Sequence, residues 1–259
     1  MQRYKCIVSY DGTGFAGYQV QPGKRTVQGE IEAVLKKIHK GEAVKITASG
    51  RTDAGVHAKG QVIHFDSSLP IPPDRWPQAL NSMLGGEIAI LSVEKVTPSF
   101  HARFDAAGKE YRYILYLGKQ KNPFNRNYAY HYPFPLDMAK MEEAARHLIG
   151  TYDFSSFCAS NTEVADKVRT ITGICFKKED DCLVLSFRGN GFLYNMVRIL
   201  TGTLIEVGTG AREPADIPAL VSARDRRLAG KTAPAHGLYL WEVFYEDSGE
   251  ESKTTKPGV

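Results

Sequence analysis

Ala48-Ser49-Gly50-Arg51-Thr52-Asp53-Ala54-Gly55-Val56-His57-Ala58-Lys59-Gly60-Gln61-Val62-Ile63-His64-Phe65-Asp66 gathers two carboxylates, a guanidinium and two imidazoles around three glycines. Gly50, Gly55 and Gly60 permit positive φ and close approach of backbone to a ligand, and the alternation through Val62 to Asp66 predicts a strand resuming after a loop. Asp53 is thereby expected on a strand-to-strand crossover, held by the scaffold on either side. Arg51, two residues away, is the expected partner that holds Asp53 ionised and lowers its pKa. An ionised carboxylate is what covalent attack on an electrophilic carbon requires.

Working outward, the first strand is expected at Arg3 to Tyr10 and a helix from about Thr26, its N-cap, with Val27, Ile31, Val34, Leu35 and Ile38 at helical spacing. Strand-like residues near Val44 to Ser49, a helix around Arg75 to Leu84 and a strand at Ile88 to Val96 complete a β-α-β-β-α-β order. The pattern then repeats. A strand from Lys109 to Tyr116, a helix from Leu136 to Ile149, a long loop, strands near Val168 to Phe176 and Leu183 to Arg188, a helix from Phe192 to about Val207 and a last strand at Leu238 to Tyr245 follow, with a short extra helix at Ile217 to Ala223. The fold class is α+β. Two ferredoxin-like halves, 1–106 and 107–246, are expected to join into one continuous antiparallel sheet with a cleft at their junction. The polar tail, 247–259, is expected to be disordered.

Composition narrows the function. The 259 residues carry a formal charge of +4, and the last fourteen hold four acids against two lysines, so the body is moderately basic, as suits a protein that attracts a phosphate backbone and releases its product. The four cysteines, Cys6, Cys158, Cys175 and Cys182, form no C-x-x-C pair and are expected to be reduced and mostly buried. A strand-like N-terminus and the lack of any eighteen-residue apolar run point to no membrane association and a cytoplasmic location. His57, His64 and His101 lack metal-ligand spacing, so no metal is expected. Arg188-Gly189-Asn190-Gly191-Phe192 echoes an RNA-recognition consensus, but Asn190 breaks it at the stacking position. The run Arg224-Asp225-Arg226-Arg227 is either a solvated surface or a phosphate-steering patch.

On the helix expected from Phe192, the residues Phe192, Met196, Ile199, Leu200 and Thr203 form a buried face, leaving Asn195, Arg198 and Gly202 on the other side. Arg198 is then free to face a cleft or to be an ordinary surface arginine. Tyr111, Arg112 and Tyr113 alternate faces of a strand, a placement that suits base stacking and phosphate contact.

The loop closely resembles the Arg-Thr-Asp-x-Gly-Val-His signature of TruA-type tRNA pseudouridine synthases. Further matches run in order along the chain: Tyr10-Asp11-Gly12-Thr13-x-Phe15-x-Gly17-Tyr18-Gln19, Thr26-Val27-Gln28, Phe100-His101-Ala102-Arg103-Phe104, Lys109-x-Tyr111-Arg112-Tyr113, Gly191-Phe192-Leu193-Tyr194-Asn195-Met196-Val197-Arg198 and Ala233-Pro234-x-x-Gly237-Leu238-x-Leu240. Only the acidic tail falls outside. The resemblance implies uridine-to-pseudouridine isomerisation in the tRNA anticodon stem-loop, at about positions 38 to 40, on a base drawn out of the stack. It further implies Asp53 as nucleophile without a cofactor, Arg198 paired with Asp53, Tyr111 stacked on the base, Leu238 packed against the uracil, and a homodimer. Asp53 would attack C1′ or C6, or act as a base at C2′; the sequence does not choose. Two departures concern loop shape and packing: Gly85-Gly86 stands where a proline is usual, and Tyr18 where tryptophan is often found.

Overall fold

A computed structural model describes residues 1–160 and 164–246. The tail expected to be disordered lies outside the described residues. The strands are β1 (Gln2–Tyr10), β2 (Thr47–Ala48), β3 (His57–Ser67), β4 (Ile88–Val96), β5 (Ala106–Tyr116), β6 (Tyr130–His131), β7 (Gly150–Asp153), β8 (Val168–Glu179), β9 (Cys182–Gly189) and β10 (Leu238–Tyr245). The helices are α1 (Val27–Ile38), α2 (Trp76–Asn81), α3 (Met138–Arg146), α4 (Met196–Gly208) and α5 (Ile217–Ala223). All ten strands form one sheet in the order β4-β1-β3-β10-β5-β9-β8-β7, with β2 added to β3 and β6 to β5.

Alternation decides which face is covered. Tyr4, Cys6, Val8 and Tyr10 of β1 are buried while the residues between them are only half-buried. Tyr4 stacks on Phe65 of β3 at 5.5 Å, and Phe65 meets Trp76 of α2 edge-on at 5.1 Å, so α2 is seated by an aromatic cluster. Thr26 caps α1 by accepting the Gly29 N–H at 3.3 Å, and Ile31 and Leu35 close the core above the sheet. On the other side of the junction Tyr113, Leu115, Leu185 and Phe187 pack with Ile199, Leu200 and Leu204 of α4.

The junction departs from a purely antiparallel sheet. β3 and β10 run parallel, paired only at Tyr239↔His57 and Leu240↔Ala58, and the short β5/β6 pair is also parallel. Beyond those two residues Gly60 approaches the Trp241 carbonyl so closely that a Cβ would fall 2.6 Å from its oxygen. The strands then part, and β2 takes the same edge of β3 at His64 and Ile63. Asp53 therefore lies on the loop that leads straight into the join.

Several boundaries differ from the sequence expectation. β3 starts at His57 rather than Val62, so the loop is short, and only Gly55 of its three glycines has positive φ, at 77°. Gly60 is needed for close approach, while a Cβ on Gly50 would lie 2.9 Å from Lys109 Nζ, the far end of a flexible side chain that can shift. α4 starts at Met196 because Asn195 adopts φ 61°, which ends the helix on its N-terminal side. The stretch after α3 expected to be loop contains the edge strand β7. Cys6 and Cys158 are buried, but Cys182 is half-buried and Cys175 exposed.

The glycine-rich segment after β1 packs directly beneath the Asp53 loop. A Cβ on Gly12 would fall 2.0 Å from the Val56 carbonyl oxygen, and one on Gly17, at φ 98°, 3.0 Å from that of Thr52. Gly12→Ala is accordingly expected to cost about 1–3 kcal/mol by overpacking, read by chemical denaturation, and to shift the amide resonances of 53–57. An unchanged midpoint with unchanged resonances would contradict this packing.

Candidate active site

The Asp53 loop is anchored by neutral groups before any charge enters. The Val56 N–H closes its turn on the Asp53 carbonyl at 3.1 Å, the Tyr18 N–H donates to the Thr52 carbonyl at 3.0 Å, and the Thr52 and Tyr10 hydroxyls bond at 2.8 Å. His57 is the hub behind it. Its Nδ1 accepts the Gly12 N–H at 3.0 Å, so Nε2 carries the proton and donates to the carbonyls of Asn127 at 2.9 Å and His236 at 3.2 Å. The Asp11 carboxylate stands 3.1 Å from the same Nδ1, a contact that becomes an ion pair only on protonation. Burial lowers the His57 pKa, in keeping with the neutral ring that the Gly12 bond demands.

The cation that meets Asp53 is Arg198, 145 positions later on α4. Its Nη1 lies 3.4 Å from Asp53 Oδ2, while Nη1 also donates to Asn195 Oδ1 and Nε to the Ala233 carbonyl, both at 2.7 Å. These two shorter bonds fix the guanidinium, and the αL turn at Asn195 brings its side chain round to do so. The Asp53 and Arg198 side chains are 23% and 17% exposed. Desolvation accordingly raises the Asp53 pKa, and Arg198 opposes that rise by charge and hydrogen bond.

Arg51 does not take the part expected of it. Its side chain is exposed and makes no hydrogen bond or ion pair among the described residues, and the Asp53 pKa is raised rather than lowered. An i, i+2 spacing across this turn sends the two side chains to different surroundings, one to the junction and one to solvent.

Beside Asp53 a pocket opens, lined by Val56, Tyr111, Phe192, Leu193 and Leu238 among others. Phe192 meets Tyr111 edge-on at 5.1 Å and so fixes the tilt of the tyrosine ring. Burial raises the Tyr111 hydroxyl pKa, so it remains a neutral phenol at physiological pH. Four of the five residues singled out in the sequence (Asp53, Arg198, Tyr111 and Leu238) thus converge on one pocket or its direct contacts. The sequence puts Asn195 on the same open side as Arg198 and Phe192 on the buried face, but assigns neither a part in the site; the structure makes Asn195 a holder of Arg198 and Phe192 a wall of the pocket.

Other candidates take structural parts. His64 Nδ1 accepts the Ala102 N–H at 3.1 Å, and burial pulls its pKa down to about 4; His101 Nδ1 accepts the Arg103 and Phe104 amides. With His57 engaged as above, each of the three histidines already has Nδ1 committed to backbone. Asn190 Oδ1 accepts the Thr170 N–H, and β9 ends at Gly189, unlike the RNA-recognition consensus. Gly202, expected on the open side of α4, is buried under the Lys231 backbone, whose carbonyl oxygen would fall 1.8 Å from a Cβ there. Arg224 pairs with Asp153, Arg227 with Asp225, and Arg226 bonds Thr232, so the basic run is engaged locally.

Comparison with known proteins agrees with this geometry. The family profile described as tRNA pseudouridine synthase matches residues 6–105 and 144–246, a span that includes Asp53, Arg198 and Leu238. A tRNA pseudouridine synthase A of Bacillus pumilus (strain SAFR-032) is 61% identical over 246 residues, covering 95% of this chain and 100% of that protein. Proteins of the same name from Geobacillus sp. (strain WCH70) and Halalkalibacterium halodurans are 57% and 54% identical, covering 95% and 100% of this chain and 99% of each relative. With the profile spanning both sides of the β3/β10 join and relatives matching nearly end to end, the chain belongs to the tRNA pseudouridine synthase family.

Proposed function

We propose that this enzyme isomerises uridine to pseudouridine in the anticodon stem-loop of tRNA, at about positions 38 to 40, acting on a base drawn out of the stack at a cost of a few kcal/mol. The observation that carries the reading is the desolvated Asp53 carboxylate held against Arg198 at the mouth of a pocket walled by Tyr111 and Leu238. The Tyr111 ring offers the flipped uracil a stacking surface, worth about 1–3 kcal/mol per base, and Leu238 an apolar wall.

The reaction breaks the N1–C1′ bond, turns the uracil in the pocket and forms C5–C1′. C5 gives up its proton and N1 gains one, so atoms balance with no net redox change and no cofactor is called for. Asp53 attacks C1′ or C6, or takes the proton at C2′; each of these requires the anion. Arg198 supplies the opposing charge that keeps the anion accessible in a site whose burial disfavours it. Asp53 is the catalytic residue and Arg198 its partner; Arg51, exposed at the loop surface, does not hold Asp53.

The enzyme works as a homodimer, as the family resemblance implies, on tRNA in the cytosol and, given the histidine spacing, without a metal ion. No helix among the described residues is long and apolar enough to cross a membrane.

Tritium release from tRNA labelled at C5 of uridine tests the assignment. The parent is expected to release tritium in the presence of a chelator, and Asp53→Asn to release none above background. Measurable turnover by the variant would remove Asp53 from the chemistry, and loss of release on chelation would restore a metal. Light scattering with tRNA bound is expected to give two protein chains per particle; one chain would contradict the dimer.

A further inference from the structure

Lys109 is a charged side chain at the site to which the chemistry above assigns no task. It precedes Tyr111 by two positions on β5, so alternation puts both on one face, about 7 Å apart along the strand. Its Nζ donates to the Ser49 carbonyl at 2.6 Å, in the space that Gly50 leaves by lacking a Cβ. Ser49 and Gly50 begin the loop that carries Asp53.

The surroundings of Lys109 are electrically one-sided. It is half-buried, forms no ion pair with a carboxylate among the described residues, and the charges acting on it are those of Arg103 and Arg169. Arg169 lies against Gly191, next to the pocket residue Phe192: its Nε is 3.6 Å from where a Gly191 Cβ would stand. Burial and the two guanidiniums bring the Lys109 pKa down to about 8. A partly desolvated ammonium with one carbonyl and no anion is unfavourable, and the arrival of an anion relieves it.

We propose that Lys109 receives a phosphodiester adjoining the target uridine. Base, ribose and phosphate would then meet Tyr111, Asp53 and Lys109 respectively. The spacing of Lys109 and Tyr111 along β5 is comparable with the reach from a nucleobase to its own phosphate. The proposal rests on the uridine isomerisation reading and adds to it where the enzyme grips the flipped nucleotide. The competing role for Lys109 is a clamp on the loop through Ser49 alone.

The experiment is a cycle between enzyme and substrate. A tRNA carrying one uncharged methylphosphonate linkage, 5′ or 3′ of the target uridine, is compared with all-phosphate tRNA on the parent, Lys109→Met and Lys109→Arg. The parent is expected to lose about tenfold in kcat/KM at one of the two linkages, mainly through KM, as suits one hydrogen bond to a charged group. Lys109→Met should show a similar loss on all-phosphate tRNA and no further loss at that linkage, while Lys109→Arg stays sensitive to it. Losses that multiply in Lys109→Met would overturn the proposal and leave a loop clamp. Absence of pseudouridine from the parent on all-phosphate tRNA would overturn the isomerase reading itself, so the two failures are distinct.

If Lys109→Met does not fold, calorimetry on the parent at pH 8 in buffers of different ionisation enthalpy decides instead. All-phosphate tRNA should bind with proton uptake, because the phosphate favours charged Lys109. The methylphosphonate tRNA should bind with less. Equal uptake by both would overturn the assignment.

Discussion

A carboxylate and a guanidinium far apart in the chain meet at a seam two residue pairs wide, and the rest of the molecule is arranged to allow it. Asp53 comes from the loop entering β3, Arg198 from the first turn of α4, and the short parallel pairing of β3 with β10 brings the two sides into register. Exposed ion pairs contribute about 0–1 kcal/mol, and fully buried ones seldom repay their desolvation. At 23% and 17% side-chain exposure this pair stands between those limits, so fold stability is a poor explanation for it. Its chemical value is clearer: an anion kept available inside a pocket where water competes weakly.

That economy of charge explains why so many neutral bonds surround the pair. The loop is held by the Gly12, Tyr18 and Thr52 contacts and by a neutral His57, none of which places a second charge beside Asp53. Arg198 is pinned by one amide oxygen and one backbone carbonyl, so it needs no second carboxylate that would compete with Asp53. A glycine at position 12 follows from the same arrangement, since any side chain there would drive the loop off its support. Tyr111 and Leu238 then wall the pocket beside the carboxylate.

Much of this was legible in the sequence where local physics decides. β4, β10 and α5 fall where alternation or helical spacing puts them, and Thr26 caps α1 as its side chain and position suggest. Apolar spacing carried the expected α4 back to Phe192, but a left-handed Asn195 interrupts it, and spacing contains no information on φ. β7 is four residues at a sheet edge, too short for a pattern. The site divides the same way. Asp53 stood out among its glycines, but its partner could not be read from neighbours: Arg51 is close in sequence and faces solvent, while Arg198 is remote and adjacent in space. Tyr111 and Leu238 were legible as site residues through family resemblance, because a buried tyrosine or leucine in a strand looks the same whether it walls a pocket or fills a core.

The account depends on Asp53 being a desolvated carboxylate held in check by Arg198, and the direct measurement is the NMR titration of the Asp53 side-chain carboxyl carbon in the parent and in Arg198→Met. The parent midpoint should lie above the ordinary aspartate value of about 3.9, and loss of the cation should move it higher still, because only burial then acts on the carboxylate. A midpoint at or below the ordinary value in the parent, or one that Arg198→Met leaves unchanged, would contradict it.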